Sequence, residues 1–242
     1  MVGAGAVLLA ACGGSDDGGL ESGERPLGRD EANRLADALF DNFDQGGASF
    51  TYTGQIGSDT LVMRGDIDFV THQGRAAVEA TGPESAIVEV VWSDGEVIER
   101  IPALADLMAD SGRPPVEWVL RPPAIDEREL DTAIALVIAL ASEQRDNPQL
   151  IQQLPGSAFV RRQMFRGREV EILRYGDITT YWLDVETSDM VRFEANNRSG
   201  TRPRLIDLVD RGDRQISAPS PDVVTSVAII GDDLYGSARR TP

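Results

Sequence analysis

No lysine occurs anywhere in the 242 residues; all 23 basic side chains are arginine. They stand against 40 Asp and Glu, for a formal net charge of −17. A surface that acidic repels phosphate backbones, which excludes nucleic acid as a partner. It also argues against electrostatic docking onto anionic lipid headgroups. Histidine and cysteine are equally scarce, with His72 and Cys12 the sole examples. So small a set leaves little material for metal or thiol chemistry and excludes a disulfide scaffold; no metal and no cofactor is expected. The spacings G-x-S-x-G, H-E-x-x-H, the P-loop and the EF-hand are missing as well. His72, between Thr71 and Gln73 at a strand end, reads as an exposed turn residue. The expectation is a protein that is not an enzyme. No internal repeat and no heptad pattern appears. What is present is an ordinary globular balance, 41% apolar and 26% charged, which rules out a disordered chain or a collagen and can bury a sizeable core.

Residues 1–11, MVGAGAVLLAA, are small or apolar throughout and too few to span a bilayer, which takes about 20. Leu9-Ala10-Ala11-Cys12 resembles a bacterial lipobox. That resemblance implies a diacylglycerol on the Cys12 sulfur and removal of residues 1–11 as a signal peptide. The basic opening of such a peptide is absent, which reads as a start assigned too late. Residues 13–29 are Gly, Ser, Asp, Glu, Arg and Pro for the most part. They read as a flexible tether, and such a length holds a domain about 20–25 Å from its anchor. Residues 12–29 are therefore assigned to the lipidated cysteine and its linker. The protein is expected to be exported and lipid-anchored to the outer face of the cell membrane, and a lone cysteine consumed by lipid suits an exported chain without disulfides.

The body, residues 30–236, reads as strands, then helices, then strands. Asp30 to Asp44 places Leu35, Leu39 and Phe43 on one helical face, with Asp30 as N-cap and Gly46-Gly47 as the stop. Five strand signals follow to Ile101, joined by short turns such as Ser93-Asp94-Gly95. Gly65, in the middle of one of them, suggests a bend or bulge. Between Pro102 and Leu154 the period becomes helical, except for VEWVLR between Pro114-Pro115 and Pro122-Pro123, a short extended piece that includes Trp118. Asp126 is the expected cap of LDTAIALVIALA (Leu130 to Ala141), which is apolar on almost every side and must be covered. Five more strands run from Phe159 to about Asp210, with Arg214 to Ala218 as a short extra, and residues 237–242 read as a frayed tail. Two five-strand halves could form two sheets. The central apolar helix favours one, because it needs a broad apolar face beneath it. The expected fold is α+β: a large curved antiparallel sheet of about ten strands, a half-barrel, with helices on its concave side.

YWLDVETSDMVRFE (Tyr181 to Glu194), LVDRGDRQISAPSP (Leu208 to Pro221) and DGEVIERIP (Asp94 to Pro102, with Ile98 where an aromatic is usual) resemble segments of LolA-like envelope lipoprotein carriers and of LppX/LprG-type lipoproteins. The resemblance implies an apolar cavity between sheet and helices that carries acyl chains. Its wall is expected to include Leu61, Met63, Ile67, Phe69, Val78, Val88, Val90 and Trp92 from the strands and Ile134, Val137 and Ile138 from the helix. Strand alternation by itself describes a packed core equally well. Arg161, Arg162 and Arg166 form the one local basic cluster, readable as a charged outer strand face or as a contact for an anionic lipid head. The expected partners are a lipid or glycolipid ligand, the membrane through Cys12, and a membrane transporter for handover. The alternative function is a sensor or interaction lipoprotein on the same scaffold, regulating a membrane partner without cargo.

Overall fold

The computed structural model describes residues 22–56, 58–125, 127–195 and 202–241. Cys12, the signal segment, most of the tether and the expected cap Asp126 lie outside them. The chain order is β1 (Ser22–Pro26), α1 (Arg29–Asp44), β2 (Gly47–Ile56), β3 (Asp59–Asp68), β4 (Gln73–Ala80), β5 (Glu89–Ser93), β6 (Glu96–Arg100), α2 (Ala103–Asp110), β7 (Trp118–Arg121), α3 (Glu129–Ile138), α4 (Pro148–Gln153), β8 (Ala158–Phe165), β9 (Arg168–Tyr175), β10 (Thr179–Asp184), β11 (Met190–Ala195), β12 (Arg204–Val209), β13 (Val224–Ser226), α5 (Val227–Ile230) and α6 (Asp232–Arg240).

Among the described residues, all thirteen strands join one open sheet, ordered β1-β8-β9-β10-β11-β12-β2-β3-β4-β5-β6-β7-β13. The two expected halves are therefore one sheet, sutured where β12 pairs with β2 (Ile206 opposite Tyr52). The sheet is mixed: β13 runs parallel to β7, and the other pairs are antiparallel. The six helices of the described residues contribute to one core cluster with one face of the sheet, through Leu35, Leu104, Ile134, Ile151, Ile230 and Ala238 among others. The opposite face keeps a smaller cluster of Val170, Ile172 and Trp182. Arg192 stacks over Trp182 and Phe165 there.

The structure corrects several expected boundaries. Residues 22–26 are not tether; they form the edge strand β1 against β8. They hold because Arg25 forks onto Glu31 at 2.7 and 3.0 Å and Glu24 receives Arg174, 150 residues away, at 2.6 and 3.1 Å, pairings that composition does not display. The tail is not frayed as far as Arg240, since α6 runs through it and buries Ala238 completely. α1 begins at Arg29, where the Glu31 carboxylate accepts from the Gly28 N–H. Residues 214–218 form no strand.

Gly65 corrects a further expectation. No bulge occurs there: it pairs in unbroken register with Phe50 and Ala76. Its requirement is a close approach, since a Cβ would stand 1.9 Å from the Arg75 carbonyl oxygen. Gly74 serves Trp92 in the same way. The two pair across β4 and β5, and a Cβ on Gly74 would lie 1.9 Å from Cζ2 of the indole. The ring lies over the bare backbone and meets Phe50 edge-on at 6.0 Å. Gly74→Ala should push Trp92 off this seat and destabilise the fold by about 1–3 kcal/mol, the usual cost of overpacking. Urea unfolding followed by tryptophan fluorescence measures it, and an unchanged midpoint would contradict this packing.

Candidate binding face under helix α3

The helix-covered face is built by alternation. Phe50 and Tyr52 on β2, Leu61, Met63 and Ile67 on β3, Ala76 and Val78 on β4, and Val90 and Trp92 on β5 all point to one side and are buried. β6 continues the row with Val97 and Glu99, followed by Ile101 just past its end, and β7 with Val119 and Arg121. A carboxylate and a guanidinium thus stand in core positions. Glu99 has 0% exposure, and an uncompensated charge at such a site costs several kcal/mol.

Compensation comes from every side. The Arg121 guanidinium donates to Glu99 at 2.8 Å through Nε and forks onto Asp131 of α3 at 2.5 and 2.7 Å. Arg128, just before α3, reaches Glu99 at 2.7 Å and Glu84 at 2.6 Å. The Tyr235 hydroxyl of α6 donates to Glu99 at 2.7 Å and accepts from Arg128 at 2.8 Å. Arg239 of α6 closes the cluster on Glu84 at 3.1 Å. A second clamp holds the first turn of α3: Arg204 of β12 forks onto Glu129 at 2.7 Å twice, and the Tyr52 hydroxyl donates to the same carboxylate. The far end of α3 is held by neutral bonds to α1, from Asn42 Nδ2 to the Leu140 carbonyl and from the Ser142 N–H to the Leu39 carbonyl.

Burial by itself pushes the Glu99 carboxyl up, but Arg121 and Arg128 outweigh it and hold it below the ordinary Glu value of 4.5. A carboxylate with a depressed folded-state value stabilises the fold fully above its unfolded value, and that contribution is lost as pH falls through the depressed one. Glu99→Ala leaves Arg121 with Asp131 and Arg128 with Glu84 but removes the carboxylate they share, and should cost about 3–5 kcal/mol at neutral pH, as breaking a buried pair does. Glu99→Gln should flatten the fall of stability below about pH 4.5. Denaturant titrations across acid pH read both, and a variant with the wild-type acid slope would exclude this carboxylate as a source of it.

Cavities open at both ends of α3. One of about 400 Å³ lies by its N-terminus and is lined by Gly54, Asp59, Thr60, Leu61, Thr81, Pro83, Glu84, Glu127, Arg128, Glu129 and Arg239. The other, about 190 Å³, lies between α3 and the β5–β6 hairpin. Its apolar wall is Trp92, Val97, Ile134, Ala135 and Ile138, with Pro123 and Ile125 beside them and His72 at its margin. His72 is the exposed turn residue expected, at φ 56.

The residues expected to wall a cavity therefore divide. Trp92, Ile134 and Ile138 line the smaller cavity and Leu61 the larger. Met63, Ile67, Phe69, Val78, Val90 and Val137 are buried in the core cluster beneath α3 and line neither. Val88 is a correction: it is 38% exposed. The alternation slips just before β5, so Ile87 turns inward in its place. The helix also stops sooner than expected, at Ile138 with Ala139 as C-cap. The buried charges were not anticipated, although Glu99 carried a signal: it occupies the inward parity between Val97 and Ile101. Among the described residues no group of His, Cys, Asp and Glu is placed to hold a metal ion, and no helix is long and apolar enough to cross a membrane.

No family model matches the chain, and no curated protein matches it. Similar solved structures include an uncharacterized conserved protein from Thermus thermophilus, with 11% identity, 81% of this chain and 98% of that one covered, and a TM-score of 0.43. MucB from Pseudomonas aeruginosa in complex with MucA is similar at 19% identity, 80% and 59% coverage and a TM-score of 0.34. A domain from Vibrio parahaemolyticus named for outer membrane lipoprotein sorting is similar at 11% identity, 87% and 97% coverage and a TM-score of 0.32. At these identities and scores they assign neither a family nor a ligand to this chain.

Proposed function

We propose that this chain is a cell-envelope lipoprotein, anchored through Cys12, that holds an acyl chain of a lipid or lipoglycan between α3 and the sheet for transport or presentation. No bond is made or broken in this role. The observation that carries the reading is the apolar cavity of Trp92, Val97, Ile134 and Ile138 at the C-terminal half of α3, which adjoins the apolar face beneath the helix. At about 190 Å³ it is smaller than ligand pockets of about 300–1,000 Å³, so uptake requires α3 to lift. Two features support that movement. The ion pairs that fasten α3 are concentrated at its N-terminal end, and Leu136 and Ile138 in its C-terminal half are apolar and only half-buried. Each methylene taken in contributes about 0.8 kcal/mol, so a long chain would leave only to a membrane or a transporter. The second reading is a sensor or interaction lipoprotein without cargo. It is favoured by Met63, Ile67, Phe69 and Val90, which have no exposure and already fill the face.

The test uses the full chain carrying Cys12→Ser, purified from a bacterial envelope and extracted for mass spectrometry of lipids. An acylated species should accompany it. Ile138→Trp fills the small cavity and should reduce that species at least several-fold while the melting temperature holds. Absence of lipid from both proteins would replace the carrier with the sensor reading. Cys12→Ser should also move the protein from the membrane fraction to the soluble one; unchanged membrane association would refute the anchor.

A further inference from the structure

The basic cluster of the sequence acquires a position once β1 is part of the sheet. From Ala158 to Arg168 the chain reads AFVRRQMFRGR, with four arginines and no acidic residue, in a protein whose net charge is −17. This stretch is β8 and the turn into β9. Arg162 turns to the buried Glu171. Arg161, Arg166 and Arg168 are exposed. Arg161 makes no ion pair among the described residues. Arg166 reaches Asp207, which it shares with Arg192, and Arg168 reaches Asp184 only at 3.5 Å. A guanidinium has five N–H donors, so each keeps donors to spare. Met164, beside the turn, is 57% exposed.

β1 runs antiparallel to β8 with Ser22 opposite Arg161 and Pro26 opposite Ala158. The chain therefore enters the sheet from the end that carries the β8–β9 turn. Nine residues separate Cys12 from Ser22, and ten Cα steps reach at most about 35 Å even when fully extended. The opposite end of the sheet, with Ile178 in the β9–β10 turn, lies a strand length farther away.

We propose that the β8–β9 tip is a membrane-docking surface: Met164 enters the interface of the bilayer to which Cys12 is joined, and Arg161, Arg166 and Arg168 meet the phosphates of its anionic lipids. The net charge opposes docking by the chain as a whole, but tethering raises the local concentration so far that a weak contact suffices. Met164, opposite Glu169, and the exposed Arg161 and Arg168 lie on opposite faces of the β8–β9 ribbon, so it is the tip and not one face that would meet the headgroup layer, where long arginine stems reach outward to phosphate. The docking rests on the anchoring proposed above, and the experiment separates the two by coupling the full chain through its one cysteine to a maleimide lipid. That places the domain on a vesicle whether or not a cell acylates Cys12.

Hydrogen exchange is then read by mass spectrometry on vesicles of phosphatidylcholine with phosphatidylglycerol, against the same chain with its thiol capped in solution. Amides 164–168 should slow several-fold and those of 176–180 should not. Met164→Asp, a change at an exposed position, should abolish the slowing at an unchanged melting temperature. Slowing at 176–180 instead, slowing nowhere, or slowing that survives Met164→Asp would each overturn the proposal. Slowing that grows with protein density on the vesicle would assign the tip to a second copy and overturn it as well.

Discussion

The architecture depends on one buried carboxylate. Glu99 points from β6 into the core with no exposed surface, where an ionised group survives only if opposite charge and hydrogen bonds surround it. Arg121 on the next strand, Arg128 ahead of α3 and Tyr235 on α6 supply them. Each belongs to a different element. Satisfying Glu99 therefore sets where β7, α3 and α6 stand relative to β6. Apolar contact supplies most of the energy of such a layer but has no direction. The charged cluster contributes direction, since a fork such as Arg121 on Asp131 tolerates little displacement.

The same cluster makes the helical layer uneven. α3 is clamped at its first turn by Asp131 and Glu129, on partners from β7, next to one edge of the sheet, and from β12, near its middle. Beyond its other end the chain is tied to α1 by hydrogen bonds from Asn42 and to Leu39 and, farther on, by the Arg145–Asp37 ion pair. The apolar cavity is found along that less strongly fastened half. The lifting of α3 proposed for uptake would act on this half, with Asp131 of the charged cluster at the edge of the cavity.

Much of the fold was legible because it is local. Period-two alternation in Leu61, Met63, Ile67 and Phe69 and the turn at Ser93-Asp94-Gly95 mark the β3 and β5–β6 strands unaided. α3 was legible as an apolar run of helical length. β1 was not, because SGERP has no apolar alternation, and its hold comes from Glu31 and Arg174, the latter 150 residues from Glu24. α6 was missed for a related reason: it has few apolar residues, and its docking is carried by Tyr235 and Arg239 on Glu99 and Glu84. Gly65 was legible as a special position. Its cause was not, since a close strand approach and a bulge ask for the same residue.

By itself the sequence determined the elements and which side of each strand is apolar, because both follow from neighbours a few positions apart. It also determined that the charge inventory is arginine and carboxylate alone. Only the tertiary structure decided which of those charges are inside, and whether the apolar face is filled or hollow. The reason is physical: alternation is the same in a packed core and in a cavity wall. The difference is the spacing between sheet and helices, which is set by ion pairs between residues far apart in the chain.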